Sequence, residues 1–429
     1  MRLLRIGICL LMAFSVLAFG TVEVWSESIL EAGAALLFIW WAILIFRNRE
    51  IEIHWSVVYW PLLAFLGIAT LQLAFGATAY PFLTRVALLK ISACSLLFFL
   101  IGQAFRSRHD LRFLAWFLMC FAFGVAVFGI AQNFTSHYVL YWYRPLTGGG
   151  NPFGPYVNRN DFAGLMELLA PVGLSLMLFR GVRSEQMPFV GILTVVPIVA
   201  LLLTGSRGGI LSFLFELGVL GLIVYVRRSR KSQVIPFALV LLIALLAIGW
   251  LGANRLLDRF SGYGAGELTA NRRVTMLIGT WHVFLDHPLI GCGLGTLVTV
   301  YPRYETDYDG RLVDHAHNDY VEVLAETGIA GGICGLAFFF LWFREARTRL
   351  AQEQSSLSQA IHAGGITACA GMMVHSFVDF NLHLPANGLI FLAMIAMSTS
   401  PVLERRKSGL SSEGSYTTSA IDFGLDHSS

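Results

Sequence analysis

The chain has 429 residues, of which 56% are hydrophobic and only 13% are charged. A soluble globular protein is about one-quarter charged, so this composition excludes an ordinary soluble domain and indicates that the chain lies in a lipid bilayer. The formal net charge of +3 is explained by membrane orientation, and no nucleic-acid partner is expected.

Hydropathy predicts an all-α integral membrane domain over residues 1–402, because a spanning helix needs about 20 mostly apolar residues. Twelve segments meet this requirement. The fourth is the least regular, since it carries Arg85 near one end and Lys90 inside. The predicted spans are 4–22, 28–46, 56–75, 83–105, 111–132, 161–180, 188–204, 209–226, 234–252, 323–343, 360–378 and 386–402.

Most Lys and Arg residues fall on alternate connections between these spans. Examples are Arg47, Arg106, "RRSRK" at 227–231 and "ERRK" at 404–407. By the positive-inside rule these connections are cytoplasmic, as are both termini. The two long loops, 133–160 and 253–322, then face outward.

The first residues of the chain are expected to form a membrane span and the last residues a disordered tail. Arg2 and Arg5 precede a short apolar core, which also fits a signal peptide, but no clean small-residue cleavage site follows, so an uncleaved span is expected. The polar, Ser-rich segment 403–429 is predicted to be a disordered cytoplasmic tail.

The first outward polar patch is "NPFGPYVNRNDFAG", which leads into the sixth span. Asn160 or Asp161 is expected to cap this helix, with Asn158 and Arg159 just before it. The alternative for Arg159 is a snorkelling side chain with no ligand.

The second patch is "TGSRGG", where Arg207 stands between two strongly apolar spans. An unpaired charge there costs several kcal/mol, so Arg207 is expected to face a polar cavity or an anionic ligand. The alternative is an ion pair with Glu216 or Asp379.

The third patch, 270–297, begins as an amphipathic helix that opens with Arg272 and Arg273. Two arginines at the positive end of a helix oppose its dipole, which indicates a bound anion. The later "GCGLGTL" lacks the strand–turn–helix context of a dinucleotide site, so that interpretation is rejected.

The fourth patch is "DHAHND", with His315 and His317 directly before an apolar run. A metal site, a solvated helix end and a catalytic or ligand-binding histidine all remain open, and the last is favoured. Farther on, "HSFVDFNLH" adds His375, Asp379 and His383 as ligands or as structural partners. No cysteine spacing supports a thiolate site, and no metal or cofactor is expected.

The segment "HNDYVEVLAETGIAGG" resembles the signature of the O-antigen ligase and polymerase superfamily. The matching positions are His317, Asn318, Glu326 and Gly328. "TGSRGG", "RVTMLIGTWHVFLDHPLIGCGLGT" and "NRNDFAGLMELLAP" are similar too, so the resemblance covers roughly residues 150–385. The family usually has a tryptophan four residues after the matched arginine. Counted from Arg273, that position is Leu277 in this chain, which leaves Arg272 and Arg273 as alternatives.

The resemblance implies a metal-independent, inverting glycosyltransferase that uses an undecaprenyl-diphosphate-type lipid donor. Arg207 and Arg273 would hold the diphosphate, and His317 would deprotonate or orient the acceptor hydroxyl. The further substrate-binding candidates are Arg272, Asn318, Glu326, Asn158, Arg159, His375 and Asp379.

The acceptor is left open by the sequence. Ligation to lipid A–core is the leading hypothesis, with polymerisation of repeat units and transfer to a protein hydroxyl as alternatives. The rival from another class is a transporter, since twelve spans with both ends inside is a common transporter plan. It is less favoured, because the polar residues gather at outward helix ends instead of at interrupted midplane helices.

Overall fold

The computed structural model describes residues 1–48, 52–136, 139–146, 151–227, 270–306, 308, 310 and 312–402. Within these residues the secondary structure is helical, with isolated β-bridges and no β-strand, so the predicted all-α class is confirmed there. The predicted span 234–252, the start of the second long loop and the tail 403–429 lie outside the described residues.

The described residues form thirteen α-helices, which we number in chain order. They are α1 Arg2–Leu17, α2 Val24–Arg47, α3 Tyr59–Ala74, α4 Pro81–Ala104, α5 Arg108–Thr135, α6 Arg159–Leu178, α7 Met187–Thr204, α8 Arg207–Arg227, α9 Ala270–Asp286, α10 Leu297–Val300, α11 Asp319–Gln352, α12 Ser356–His375 and α13 Pro385–Thr399.

Seven helices of the described chain are long and apolar enough to cross a membrane, namely α2, α4, α5, α6, α7, α8 and α11. Helices α3 and α13 are apolar but shorter. The protein is therefore a multi-pass membrane protein, while the predicted number of twelve spans is not established.

Local sequence signals fix several helix ends. Proline stands in the first turn of α4, α7 and α13, where its missing N–H has no intrahelical partner to lose. Helix α6 begins at Arg159, and the side chain of Asn158 accepts from Asn160 N at 3.0 Å. The cap is thus Asn158, and the prediction of Asn160 or Asp161 is wrong by two to three residues.

Helix α12 lies at the centre of the bundle, packed against α6, α8 and α13. Nearly every residue of α6 and most residues of α12 are buried, whereas α2 exposes most of its apolar side chains. This distribution is typical of a membrane bundle, in which outer helices present apolar side chains to lipid and inner helices carry the polar residues.

The arginine-rich connections meet at one end of the bundle. Arg5 pairs with Asp110, Arg108 contacts Glu353, and Arg227 donates to the carbonyl of Leu350. This is the end predicted to be cytoplasmic. The four outward patches therefore belong to the opposite end, where the candidate site lies.

A break in α11 anchors the glycine-rich segment 288–295. Gly328 has φ 66° and ψ −167°, which interrupts the helical hydrogen bonds. The amides of Ile329 and Ala330 donate instead to the carbonyls of Pro288 and Leu289, at 2.8 and 3.1 Å. Because freed backbone groups in a buried region need partners, the loop and the helix break stabilise each other.

Candidate functional site

Residues 375–380, which are the last residue of α12 and the turn that follows it, bring the four outward patches together. Asp379 accepts from Asn160 of the first patch, and Gly208 of the second packs on His375. Arg273 of the third patch donates to the carbonyl of Val378, and His317 of the fourth contacts Asp379. Segments more than 200 residues apart in the chain thus converge on six residues, which we call the α12 end.

The central contact is a histidine–carboxylate pair. Nδ1 of His317 lies 3.0 Å from Oδ1 of Asp379, and the Asp379 side chain is almost fully buried. Burial alone would raise the pKa of Asp379, but His317 and the guanidinium of Arg273 outweigh it and lower the pKa to about 2. Asp379 is therefore ionised at neutral pH and accepts a hydrogen bond from Nδ1–H of His317, which places the lone pair of a neutral ring on Nε2.

The backbone of His317 is strained. Its φ is 51°, a left-handed conformation that a non-glycine residue rarely adopts and that costs on the order of 1 kcal/mol or more. Its ring packs edge-on against Phe380, with the centroids 4.9 Å apart. Asn318 follows immediately and caps α11, accepting from Val321 N at 3.0 Å. The cap and Asp379 together hold His317 in this conformation.

The two arginines at the start of α9 point to different partners. Arg273 donates from Nη1 to the carbonyl of Val378 at 2.9 Å, which places its guanidinium at the α12 end. Arg272 forms an ion pair with Glu305, with Nη2 and Oε1 3.4 Å apart. Of the two alternatives left open by the sequence, Arg273 is the one located beside His317 and Asp379.

Arg207 is the first residue of α8 and is exposed to solvent. The glycine after it allows close packing, since a Cβ on Gly208 would lie 2.8 Å from Nε2 of His375. His375 is fully buried, and its Nδ1 lies 2.8 Å from Oε1 of Glu167. His375 therefore sits beneath the start of α8, where it fixes the position from which Arg207 extends.

Several predicted substrate-binding side chains are engaged inside the protein. Both carboxylate oxygens of Glu326 accept backbone amides, from Gly295 at 2.8 Å and from Leu297 at 3.0 Å. Asn318 donates to the carbonyl of Phe377 at 3.0 Å, and Asn158 caps α6. Arg159 is buried at the first position of α6. These contacts shape the site by holding loops and helix ends in place.

A second cluster also contacts Phe380. His315 stacks on this ring at 4.4 Å, and its Nδ1 is 2.7 Å from Oε1 of Glu322. His383 contacts Asp319 through Nδ1 and Glu322 through Nε2, at 2.6 and 3.3 Å. Burial opposes a charge on His383, but Glu322 and Asp319 raise its pKa to about 9. The pKa of His315 is raised too, because Glu322 outweighs the effect of burial.

Some residues of the site did not emerge from the sequence. Asn160 was considered only as a helix cap, yet its Nδ2 donates to Oδ2 of Asp379 at 2.8 Å. Phe380 contacts the rings of both His315 and His317, and Glu167 contacts His375. A carboxylate inside an apolar span such as Glu167 was a usable signal, because such a residue is costly unless it has a partner. Nothing in the pattern distinguishes Phe380 from other aromatic residues near helix ends.

Comparison with known proteins covers a region that holds part of the candidate site. Residues 192–336 match the family described as O-Antigen ligase. This part of the chain is similar to an O-antigen ligase domain. The predicted resemblance to this superfamily is confirmed, and the domain supports a membrane glycan enzyme of the ligase or polymerase type. No curated protein matches the chain. Arg207, Arg273, His317 and Glu326 lie inside the O-antigen ligase domain, whereas Asn158, Arg159, His375 and Asp379 lie outside it.

Proposed function

We propose that this protein transfers an oligo- or polysaccharide from an undecaprenyl-diphosphate-type lipid donor to an acceptor hydroxyl. The reaction is of the O-antigen ligase type and takes place on the periplasmic face of the bacterial inner membrane, with both termini in the cytoplasm. The leading acceptor is lipid A–core. The observation that carries the proposal is the convergence of His317, Asp379 and Arg273, two of them in the O-antigen ligase domain.

In the proposed step the acceptor oxygen attacks the anomeric carbon while the bond from that carbon to the diphosphate oxygen breaks. The hydroxyl proton passes to Nε2 of His317, and attack opposite the leaving group inverts the anomeric configuration. Asp379 acts as a positioning residue, because its carboxylate holds Nδ1–H and so keeps the lone pair on Nε2.

The diphosphate gains negative charge as it leaves, and this charge needs stabilisation. Guanidinium groups at fixed positions supply it without reorganising during the reaction, and they bind phosphate oxygens in a bidentate manner. Arg273 and Arg207 fill this role in the proposal, so the transfer step needs no metal. A hydrogen bond to the carbonyl of Val378 holds Arg273 at the α12 end. Arg207 extends from the start of α8, where Gly208 packs on His375.

The proposal is tested in a deletion strain that carries either the wild-type chain or His317→Ala, with the surface glycan resolved on a gel. For a ligase, the variant leaves long polymer on the lipid carrier and none on lipid A–core. For a repeat-unit polymerase, it leaves single repeat units. A normal ladder from a well-expressed variant would overturn the assigned role of His317.

A further inference from the structure

Four titratable side chains from three separate segments meet beside the proposed transfer site. His315 lies in the loop before α11, Asp319 and Glu322 lie one turn apart at the start of α11, and His383 lies in the turn before α13. Glu322 is fully buried, and the two histidines are only partly exposed. The transfer step uses none of these four groups.

Three of these groups have the chemistry and spacing of a metal-ligand set. One ring nitrogen each from His315 and His383 and a carboxylate oxygen of Glu322 all lie within 4.8 Å of one another. Tetrahedral zinc with bonds of about 2.0–2.1 Å separates its ligand atoms by about 3.3 Å. Nε2 of His383 and Oε1 of Glu322 are already 3.3 Å apart, and Nδ1 of His315 is 2.7 Å from the same oxygen. Small side-chain movements are enough to admit an ion.

The surrounding groups orient the three ligands as outer partners do in metal sites. A ligating histidine usually donates its second ring N–H to a carboxylate, and Nδ1 of His383 lies 2.6 Å from Oδ1 of Asp319. The other oxygen of Glu322 accepts the amide of Ala316 at 2.8 Å, which directs Oε1 towards the histidines. Phe380 stacks on His315 and fixes the plane of its ring. Two buried carboxylates also supply the negative charge that a divalent cation requires.

We propose that His315, Glu322 and His383 form a structural binding site for a divalent transition metal. Two imidazole nitrogens and one carboxylate oxygen favour Zn²⁺ over Mg²⁺, which prefers oxygen ligands in octahedral geometry. His317 is not part of this set, since the grouped ligand atoms within 4.8 Å of one another belong to His315, Glu322 and His383.

Such an ion would join the 312–317 loop to α11 and to the turn before α13. Its ligand His315 is separated from the strained His317 only by Ala316, whose amide is already bound to Glu322. The ion would therefore stabilise the backbone on which His317 depends. The site goes beyond the proposed transfer function, and its occupancy is measurable without an activity assay.

The test uses the full-length chain, purified in detergent with its affinity tag removed, stripped with a chelator and titrated with ZnCl₂ or MgCl₂ by calorimetry. We expect one Zn²⁺ bound per chain with a rise in melting temperature, and no comparable effect of Mg²⁺. His315→Ala and His383→Gln are each expected to weaken Zn²⁺ binding at least ~10-fold, and Asp319→Asn about 10- to 100-fold. If His383→Gln fails to fold, the test rests on Zn²⁺ binding by His315→Ala, whose substitution lies in the loop before α11.

The matched controls are His282→Ala and His287→Ala, which remove exposed histidines at the end of α9. Both are expected to bind Zn²⁺ like the wild type. The proposal is overturned if wild-type protein binds no Zn²⁺ at micromolar concentration, or if His315→Ala and His383→Gln, where folded, bind it unchanged. Failure of the transfer assay would not affect this result, since no step of the transfer passes through the ion.

Discussion

Nδ1 of His317 lies 3.0 Å from Oδ1 of Asp379, although the two residues are 62 positions apart in the chain. The same oxygen accepts the amide of Phe380 at 3.1 Å, and Oδ2 accepts from Asn160 at 2.8 Å. Each of these three contacts is with a donor. An ionised aspartate satisfies all three donors at once, and no other side chain of similar size does so.

Replacement of Asp379 by Asn is expected to reduce the transfer rate by about 10²- to 10⁴-fold. One side-chain atom becomes an NH₂ group that faces either Asn160 or His317, both of which donate, so the His317 ring loses its fixed orientation. The measurement is the rate of glycan transfer per folded protein, with the folded amount taken from size-exclusion chromatography.

The double variant His317→Ala/Asp379→Asn separates positioning from an independent effect. If Asp379 acts only through His317, the double variant is no slower than His317→Ala alone. If the fold-losses of the two single variants instead multiply in the double variant, Asp379 contributes separately from His317, for example by contacting the substrate.

The ionisation of Asp379 predicts how its contribution to stability depends on pH. Its pKa in the folded chain is lowered from 3.8 to about 2, so its stabilising effect is present above pH 3.8 and is lost as the pH falls towards 2. The size is on the order of 2 kcal/mol. We expect the melting-temperature difference between wild type and Asp379→Asn to be constant from pH 5 to 8 and to shrink below pH 4. A difference that already shrinks near neutral pH would contradict the assigned charge state.

The two neighbouring arginines of α9 are expected to differ in their effect on transfer. Arg273→Gln removes the guanidinium at the α12 end and is expected to lower the transfer rate at least ~100-fold, as loss of a transition-state donor does. Arg272→Gln removes a largely buried ion pair with Glu305, so it is expected to lower stability, while the transfer rate per folded protein falls less than ~10-fold. Each variant serves as the matched control for the other, because both replace an arginine by glutamine at adjacent positions. Equal losses would show that both arginines contact the diphosphate.

The sequence predicted the helical class and the polar patches because both depend on local composition. Hydropathy along the chain locates apolar helices, and the positions of arginines group the connections into two sets. Arg207 and His317 were selected because each is a costly polar residue beside an apolar span, and Arg273 because two arginines at the start of a helix oppose its dipole. Both signals are visible in a single segment.

Pairings between distant segments were not predictable in the same way. Asp379 and His383 occupy one short segment, yet the first pairs with His317 and the second with Asp319 and Glu322. The sequence left both as ligands or structural partners, because the choice depends on how α12 packs against α11. The different partners of Arg272 and Arg273 have the same origin. Adjacent residues on a helix point in different directions, so the packing of α9 decides which of the two side chains reaches the α12 end.

Glu326 is expected to support the loop at 288–297 instead of binding substrate. Glu326→Gln keeps an acceptor for one of the two amides and places NH₂ against the other, so a loss of about 1–3 kcal/mol of stability is expected. The measurements are the melting temperature and the transfer rate per folded protein. A normal melting temperature with a large loss of rate would instead support a direct role in binding substrate.

Gly328 is expected to tolerate no side chain. Its φ of 66° and ψ of −167° belong to a region that is essentially restricted to glycine, and a Cβ there would lie 2.4 Å from the backbone of Leu289. Gly328→Ala is therefore expected to destabilise the protein by at least about 3 kcal/mol and to sharply lower the yield of folded chain in detergent. The matched control is Gly335→Ala, two turns along the same helix, where a Cβ meets no atom within 4 Å of the described chain. That variant is expected to fold like the wild type, because alanine favours a helix more than glycine does. Equal yields of the two variants would mean that the break in α11 does not depend on the conformation of Gly328.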